Sequence, residues 1–497
     1  MIDAALSALA QLTSIETLGY MMLGVLVGTV VGIMPGMGGI VGVSLMLPLI
    51  FGMDQAHGIA LLIGLVAVTN TSEVFPSVLL GIPGSAGAQA TVMDGYPLAR
   101  RGEGARALAA GFTSSMLGGV IGAAALFVII GMIQHILGFV GNPELLALSI
   151  LGLAIVGVLV RGDMVLGLIA ALFGVALGTI GSAPAVLEYR YTFGWMYLFD
   201  GIPLEIVALG FFAIPEAVAL LVSRGSIAKG AKLGRGIWHG VRDTLRHWTI
   251  VVRSALIGVG IGSIPGVSGT VVDWVAYGVN KQLTKTDPQY GNGDIRGVIA
   301  PESANNSKEG GALVPTLSLG IPGSGTTAVL MGGLILLGLT PGPEMIANDL
   351  DKVLLIAWAL ALANVVSTVL CVGLSHPISK ITLVPGYVLG PIILVFAFGL
   401  AYQASWNIGD LILLAVFGAI GVMLKVLRWP RAPIIIGFAL APNIERYLHL
   451  SISRYGYEWV TRPVVLAIFA LILVLVFGGA LARTVRRSTR RPGRVKS

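Results

Sequence analysis

PSVLLGIPGS, residues 76–85, returns as PTLSLGIPGS at residues 315–324, with seven of ten positions identical. Each copy sits in sequence apolar enough to lie in a lipid bilayer, and each interrupts it with glycine, proline and glycine. A helix broken at membrane depth is tolerated only where protein or a water-filled cavity satisfies the freed backbone groups, so a duplicated break predicts a duplicated contribution to one binding site.

A second motif repeats alongside the first. Gly28, Gly32, Pro35, Gly36 and Gly39 keep their spacing as Gly258, Gly262, Pro265, Gly266 and Gly269, a shift of 230 residues, whereas the GIPGS copies are 239 apart. The nine-residue difference falls between the motifs, where the second half carries the polar segment Lys281 to Glu309. Two transmembrane repeats are therefore expected, residues 1–235 and 236–460, followed by a last helix and basic tail, 461–497.

Composition agrees with a membrane setting. Of 497 residues 56% are hydrophobic and only 11% charged, against roughly 25% charged in soluble domains. Charge-free runs mark the spans: Thr17 to Met53, Ala107 to Gln134, Met164 to Leu187, Gly310 to Pro343, Val353 to Ser375, Ile381 to Gly409 and Pro463 to Ala482. With shorter and singly charged segments, this predicts an all-α polytopic membrane protein of roughly 11–12 transmembrane segments plus half-helices, each crossing needing about 20 residues.

The net charge of +7 is concentrated in Arg224 to Arg246 and Arg483 to Lys496. The positive-inside rule places both at the cytoplasmic face, and no nucleic-acid partner is needed to explain them. Met1 to Leu18 hold Asp3 and Glu16 and no lysine or arginine, so they lack the basic start of a cleavable signal and predict an external N-terminus. With the N-terminus outside and the basic loop inside, the first half crosses an odd number of times, so the repeats are expected to be inverted, with broken or re-entrant helices meeting near the midplane. One cysteine, Cys371, excludes an intrachain disulfide and a cysteine metal cluster.

The chemistry of the breaks points to an anion. Thr17 to Met53 would span about 55 Å as one helix, far more than the roughly 30 Å hydrocarbon core, so a turn is expected at Pro35-Gly36. Proline suits the first turn of a helix, so Pro83 and Pro322 are expected each to start a half-helix. The free N–H groups there attract carboxylates, which makes Gly81, Pro83, Gly84 and Ser85, with Gly320, Pro322, Gly323 and Ser324, the candidate substrate-binding set. Unwound carbonyls and hydroxyls at Pro35, Gly36, Pro265, Gly266, Thr326 and Thr327 suit a small hard cation such as sodium. The alternative is that these glycines only let helices pack closely.

Asn305 and Asn306, in PESANNSKEGGA (Pro301 to Ala312), offer donors and acceptors to a carboxylate or an ion, or else cap a helix or lie in an interfacial loop. Asp94, in MDGYPLARRGEGAR, reads as a turn residue with Arg100, Arg101 and Arg106 as interfacial anchors, the alternative being substrate contact. Two rival functions are a passive anion pore and an intramembrane serine protease using Ser85 or Ser324. A protease needs a base within reach, and none of the six histidines falls in a motif shared by both halves.

PESANNSKEGGALVPTLSLGIPGSGTTAVLMGGL, from Pro301 to Leu334, strongly resembles the signature of the large membrane subunit of tripartite tricarboxylate transporters. GIMPGMGG from Gly32, LLGIPGSAGAQATVMDGYPLARRGEGARAL from Leu79 and YRYTFGWMYLFDGIPLEIVALGFF from Tyr189 are similar to the same family. The resemblance implies a multi-pass permease subunit of the bacterial inner membrane, working with a small four-helix membrane subunit and a periplasmic solute-binding protein. It implies uptake of citrate or related carboxylates driven by an ion gradient, usually sodium with protons as the alternative, without ATP or a bound cofactor. The chain has no GxxxxGK[ST] phosphate loop, in agreement. One departure is TNTSEVFPSVLL before the first GIPGS, where the family pattern leads to a small-residue stretch. Glu73 there bears on substrate or ion preference.

Overall fold

The computed structural model describes residues 1–34, 36–136, 140–158, 164–183, 186, 188–222, 234–266, 269–285, 289–377 and 386–489. A short helix α1 (Ile2–Leu12) leads into α2 (Ile15–Ile33), and the chain then turns into α3 (Gly38–Ile50). The long charge-free run is thus two helices, because no proline-glycine pair can be carried through a straight span of that length. Next, α4 (Gln55–Ser72) passes through Glu73 into α5 (Val74–Leu79), which stops at the first GIPGS. Beyond the break, α6 (Gln89–Leu98) and α7 (Gly104–Ile136) are joined by a π turn containing Gly102.

The first half continues with α8 (Asn142–Val158) and α9 (Met164–Gly178). A two-residue antiparallel pair follows, β1 (Gly181–Ser182) and β2 (Tyr189–Arg190), with Gly181 opposite Arg190. Two more helices, α10 (Leu204–Ala208) and α11 (Ile214–Val222), come before the basic loop. Beyond it come α12 (Ile237–Arg246), α13 (Trp248–Gly262), α14 (Gly269–Leu283) and α15 (Arg296–Leu319), which ends at the second GIPGS. The remainder comprises α16 (Gly325–Leu336), α17 (Pro343–Asn348), α18 (Leu350–Gly373), α19 (Gly386–Ser405), α20 (Ile408–Val426), α21 (Ala432–Tyr455) and α22 (Pro463–Thr489).

Among the described residues six helices are long and apolar enough to cross a membrane, and eight shorter apolar helices accompany them. Large apolar side chains stand outward on several of them, Val395, Phe396, Val369 and Val474 among others, as lipid-facing surfaces require. This is an all-α polytopic membrane protein.

Glycine spacing sets how the helices meet. A Cβ on Gly28 of α2 would stand 2.6 Å from the Leu65 carbonyl oxygen of α4, and one on Gly262 of α13 would stand 2.5 Å from that of Lys308 in α15. Those helices touch backbone to backbone, which only small residues permit. The packing reading of these glycines holds, and it positions the site by fixing α2 on α4 and α13 on α15.

PESANNSKEGGA is neither a cap nor a loop. It lies inside α15, a helix buried on nearly every face, and Asn305, Asn306, Ser307 and Glu309 are all inaccessible. Such a helix shows no amphipathic stripe, because every face of it meets protein. Its polar residues find partners on other helices, as follows.

Candidate functional site

The two breaks are built alike as far as Gly84 and Gly323. Gly81 and Gly320 take up left-handed backbone, with φ of 70° and 67°, where an L side chain is strained and glycine is not. The amide of Ile82 then donates to the Pro76 carbonyl at 3.3 Å, and that of Ile321 to the Pro315 carbonyl at 3.2 Å. The Gly84 amide reaches Ser77 Oγ at 3.4 Å, and the Gly323 amide reaches Thr316 Oγ1 at 3.2 Å. In each half the Gly84 or Gly323 carbonyl accepts from the earlier turn: Gly36 N–H to Gly84 O at 2.8 Å, Gly266 N–H to Gly323 O at 2.9 Å. The two repeated motifs in each half are therefore parts of one structure.

The prolines do not start the helices. Residues 320–323 are non-helical, and α16 begins at Gly325 with Ser324 as its N-cap. Ser324 Oγ accepts from Thr327 N–H at 3.2 Å and Thr327 Oγ1 accepts from Ser324 N–H at 2.8 Å, a reciprocal capping box. At the first break Ser85 caps a 3₁₀ turn, accepting from Gly87 N–H at 3.0 Å, before α6 starts at Gln89. A serine side chain satisfies amides that proline cannot, so the helix begins behind the serine.

Both breaks open into one cavity of about 670 Å³. Pro83 and Ser85 line it from the first half and Ser324, Gly325 and Thr326 from the second, with Gly36 and Gly266 from the turns. Contacts between the halves come in pairs related by the sequence shifts. A Cβ on Gly39 would stand 3.0 Å from Thr326, and one on Gly269 would stand 3.3 Å from Gly87. Positions 39 and 269 differ by 230, and 87 and 326 by 239. Asn70 and Glu309, also 239 apart, bond to each other: Asn70 Nδ2 donates to Glu309 Oε1 at 3.0 Å.

Of the residues the sequence singles out, Gly36, Pro83, Ser85, Gly266, Ser324 and Thr326 lie on the cavity wall. Gly81, Gly84, Gly320, Pro322, Gly323, Pro265 and Thr327 do not line it. They shape the breaks behind it: Gly84 lies against the Glu73 backbone, Gly323 against Ala312, and the Thr327 hydroxyl belongs to the helix cap. Pro35 lies outside the described residues. Asn305 and Asn306 are also behind the wall. Asn305 Nδ2 donates to Glu73 Oε1 at 2.5 Å, and Asn306 Nδ2 reaches Ser115 Oγ at 2.9 Å, Thr71 Oγ1 at 3.1 Å and Asn364 Oδ1 at 2.5 Å. Glu73, the departure from the family pattern, is buried between the first break and α15.

Charged groups on the wall were not legible as site residues. Lys308 Nζ donates to Glu309 Oε1 at 2.8 Å and to the Asn305 carbonyl at 2.8 Å, within reach of Asn70 Oδ1 at 3.5 Å. Glu216 of α11 pairs with Lys425 at 2.6 Å and Arg431 at 3.1 Å, and Glu216, Arg428 and Arg431 all line the cavity. Lys308 and Glu309 follow the singled-out Asn305 and Asn306 in the same polar segment, and that proximity is the one signal the sequence held for them. Arg428 and Arg431, in LRWPR after an apolar run, carry no local signal of a site.

Asp94 is a buried clamp. One oxygen accepts from the amides of Gly291, Gly293 and Asp294 at 2.8, 2.8 and 2.9 Å, and the other from Tyr277 Oη at 2.8 Å. It ties α6 to the approach to α15.

A polytopic helical protein in which two matching breaks face one cavity, with charged side chains set in a largely apolar wall, has the design of a membrane transporter. The chain belongs to the tripartite tricarboxylate transporter TctA family, whose pattern it matches over residues 18–436. It is 30% identical over 464 residues, 92% of each chain, to an uncharacterized 52.8 kDa protein in the TAR-I ttuC′ 3′ region of Agrobacterium vitis. It is 32% identical over 223 residues to an uncharacterized protein in the TAR-II ttuC′ 3′ region of the same organism, covering 44% of this chain and 90% of that one.

Proposed function

We propose that the chain is the large permease subunit of a binding-protein-dependent secondary transporter that imports a di- or tricarboxylate, citrate-like in chemistry, across the bacterial inner membrane. The observation that carries this reading is the shared cavity: Ser324, at the start of α16 where helix amides favour negative charge, and Ser85, at the matching turn of the first half, line the same space. Residues 1–235 and 236–460 act as inverted repeats that alternate the cavity between the two faces, with the N-terminus periplasmic and the C-terminus cytoplasmic. A sodium ion, or a proton in its place, enters first near Gly36, Gly266 and Thr326 and reduces repulsion on substrate entry. The small four-helix subunit completes the membrane complex, and the periplasmic binding protein delivers the carboxylate.

A carrier is favoured over the serine protease because Ser85 and Ser324 both spend their oxygens on helix caps, and the cavity lining among the described residues includes no histidine. Counterflow tests carrier against pore. Proteoliposomes holding the chain with its two partner subunits and preloaded with unlabelled citrate are expected to accumulate labelled citrate transiently above equilibrium. Simple equilibration without overshoot would mean a pore.

A further inference from the structure

Four cations bear on the cavity, and three are already committed. Lys308 is paired with Glu309. Lys425 and Arg431 share Glu216, and Arg431 also donates to the Phe211 carbonyl at 2.9 Å and lies over the Phe212 ring at 5.4 Å. The fourth, Arg428, lines the cavity, is exposed, and makes no side-chain hydrogen bond or ion pair among the described residues. The cavity wall as a whole carries three cations, Lys308, Arg428 and Arg431, against two carboxylates, Glu216 and Glu309.

The backbone at Arg428 is unusual. Its φ is 58°, left-handed, at the position just past α20 where glycine is the usual occupant. Its amide bonds to the Lys425 carbonyl at 3.2 Å and the next amide, of Trp429, to the Leu424 carbonyl at 2.8 Å, so the turn holds the residue there. An L residue in this conformation is disfavoured, and such strain gathers where a side chain must be presented in one direction. Trp429 and Pro430 follow at once, so the segment is stiff on both sides of the guanidinium.

The cavity therefore offers two separate anion receptors: the start of α16 at Ser324, and the uncommitted guanidinium of Arg428. A monocarboxylate can occupy only one of them. Resting on the carboxylate reading above, we propose that Arg428 is a specificity-determining residue that pairs with the second carboxylate of the substrate and so selects dianions and trianions over monoanions.

The test measures binding of citrate, succinate and butyrate to the purified full-length chain with its membrane partner, for wild type, Arg428→Gly and Arg428→Lys. Arg428→Gly is expected to melt at or above the wild-type temperature, since glycine accepts the left-handed turn, and to bind citrate and succinate at least tenfold more weakly. Its butyrate affinity should be unchanged, and Arg428→Lys should recover part of the loss. Arg428→Asn, which also tolerates the turn, serves if the glycine variant aggregates. Wild-type citrate affinity in both the Gly and Asn variants would overturn the assignment while leaving the carboxylate site standing, and so would an equal loss for butyrate and succinate. A wild-type protein that binds none of the three acids would overturn the assignment together with the reading it rests on.

Discussion

Asp94 shows how far one side chain can reach. Three backbone amides and a tyrosine hydroxyl from the second half converge on a carboxylate from the first, about 180 to 200 positions away in the chain. Replacing it with asparagine removes an acceptor and sets an amide against Tyr277, so Asp94→Asn is expected to cost about 2–4 kcal/mol. A melting curve and faster proteolysis of the 289–296 segment would report it, and a variant as stable as wild type would show that the clamp contributes little. From the sequence this residue read as a local turn, because nothing within a few positions announces partners that lie two hundred residues on. The same limit applies to Asn305 and Asn306, whose polarity was evident but whose partners Glu73, Ser115 and Asn364 come from other helices. Glycines 81, 84, 320 and 323, by contrast, were legible as the breaks themselves, which is backbone chemistry, though not as residues behind the cavity wall rather than on it.

At the level of elements, the breaks are helix starts whose caps can be removed singly. Ser324→Ala deletes the reciprocal box with Thr327 and is expected to destabilise by about 1 kcal/mol. It should also weaken citrate binding more than it lowers maximal uptake, because the amides of α16 would then lack their fixed aim. Transport assays that separate half-saturation from maximal rate check this, and an unchanged half-saturation would remove Ser324 from the site. The sequence located the interruptions but put the helix starts at Pro83 and Pro322. Proline's preference for a first turn is real, yet here a serine two residues later caps the amides and so sets the boundary. The all-helical membrane architecture was plain from charge-free runs, whereas the polar interior of α15 was not, because a helix surrounded by protein carries no periodic signature.

For the molecule as a whole, the matched contacts Gly39 with Thr326 and Gly87 with Gly269 place both halves around one space. Cysteines introduced singly as Ser85→Cys and Thr326→Cys test whether that space is shared and occupied by substrate. Cys371 is fully buried, so it adds no background labelling. Both variants are expected to react with a membrane-impermeant maleimide, and citrate should slow the two reactions several-fold in parallel. Protection of one position without the other would separate the breaks into independent sites. The pairing of Asn70 with Glu309 carries one more consequence. Positions 70 and 309 correspond under the 239-residue shift, yet one is an amide and the other a carboxylate, and Lys308 is answered by Thr69. Matched in backbone and unmatched in charge, the two halves surround the cavity with an uneven field, the ammonium of Lys308 and the carboxylate of Glu309 standing on the second half alone.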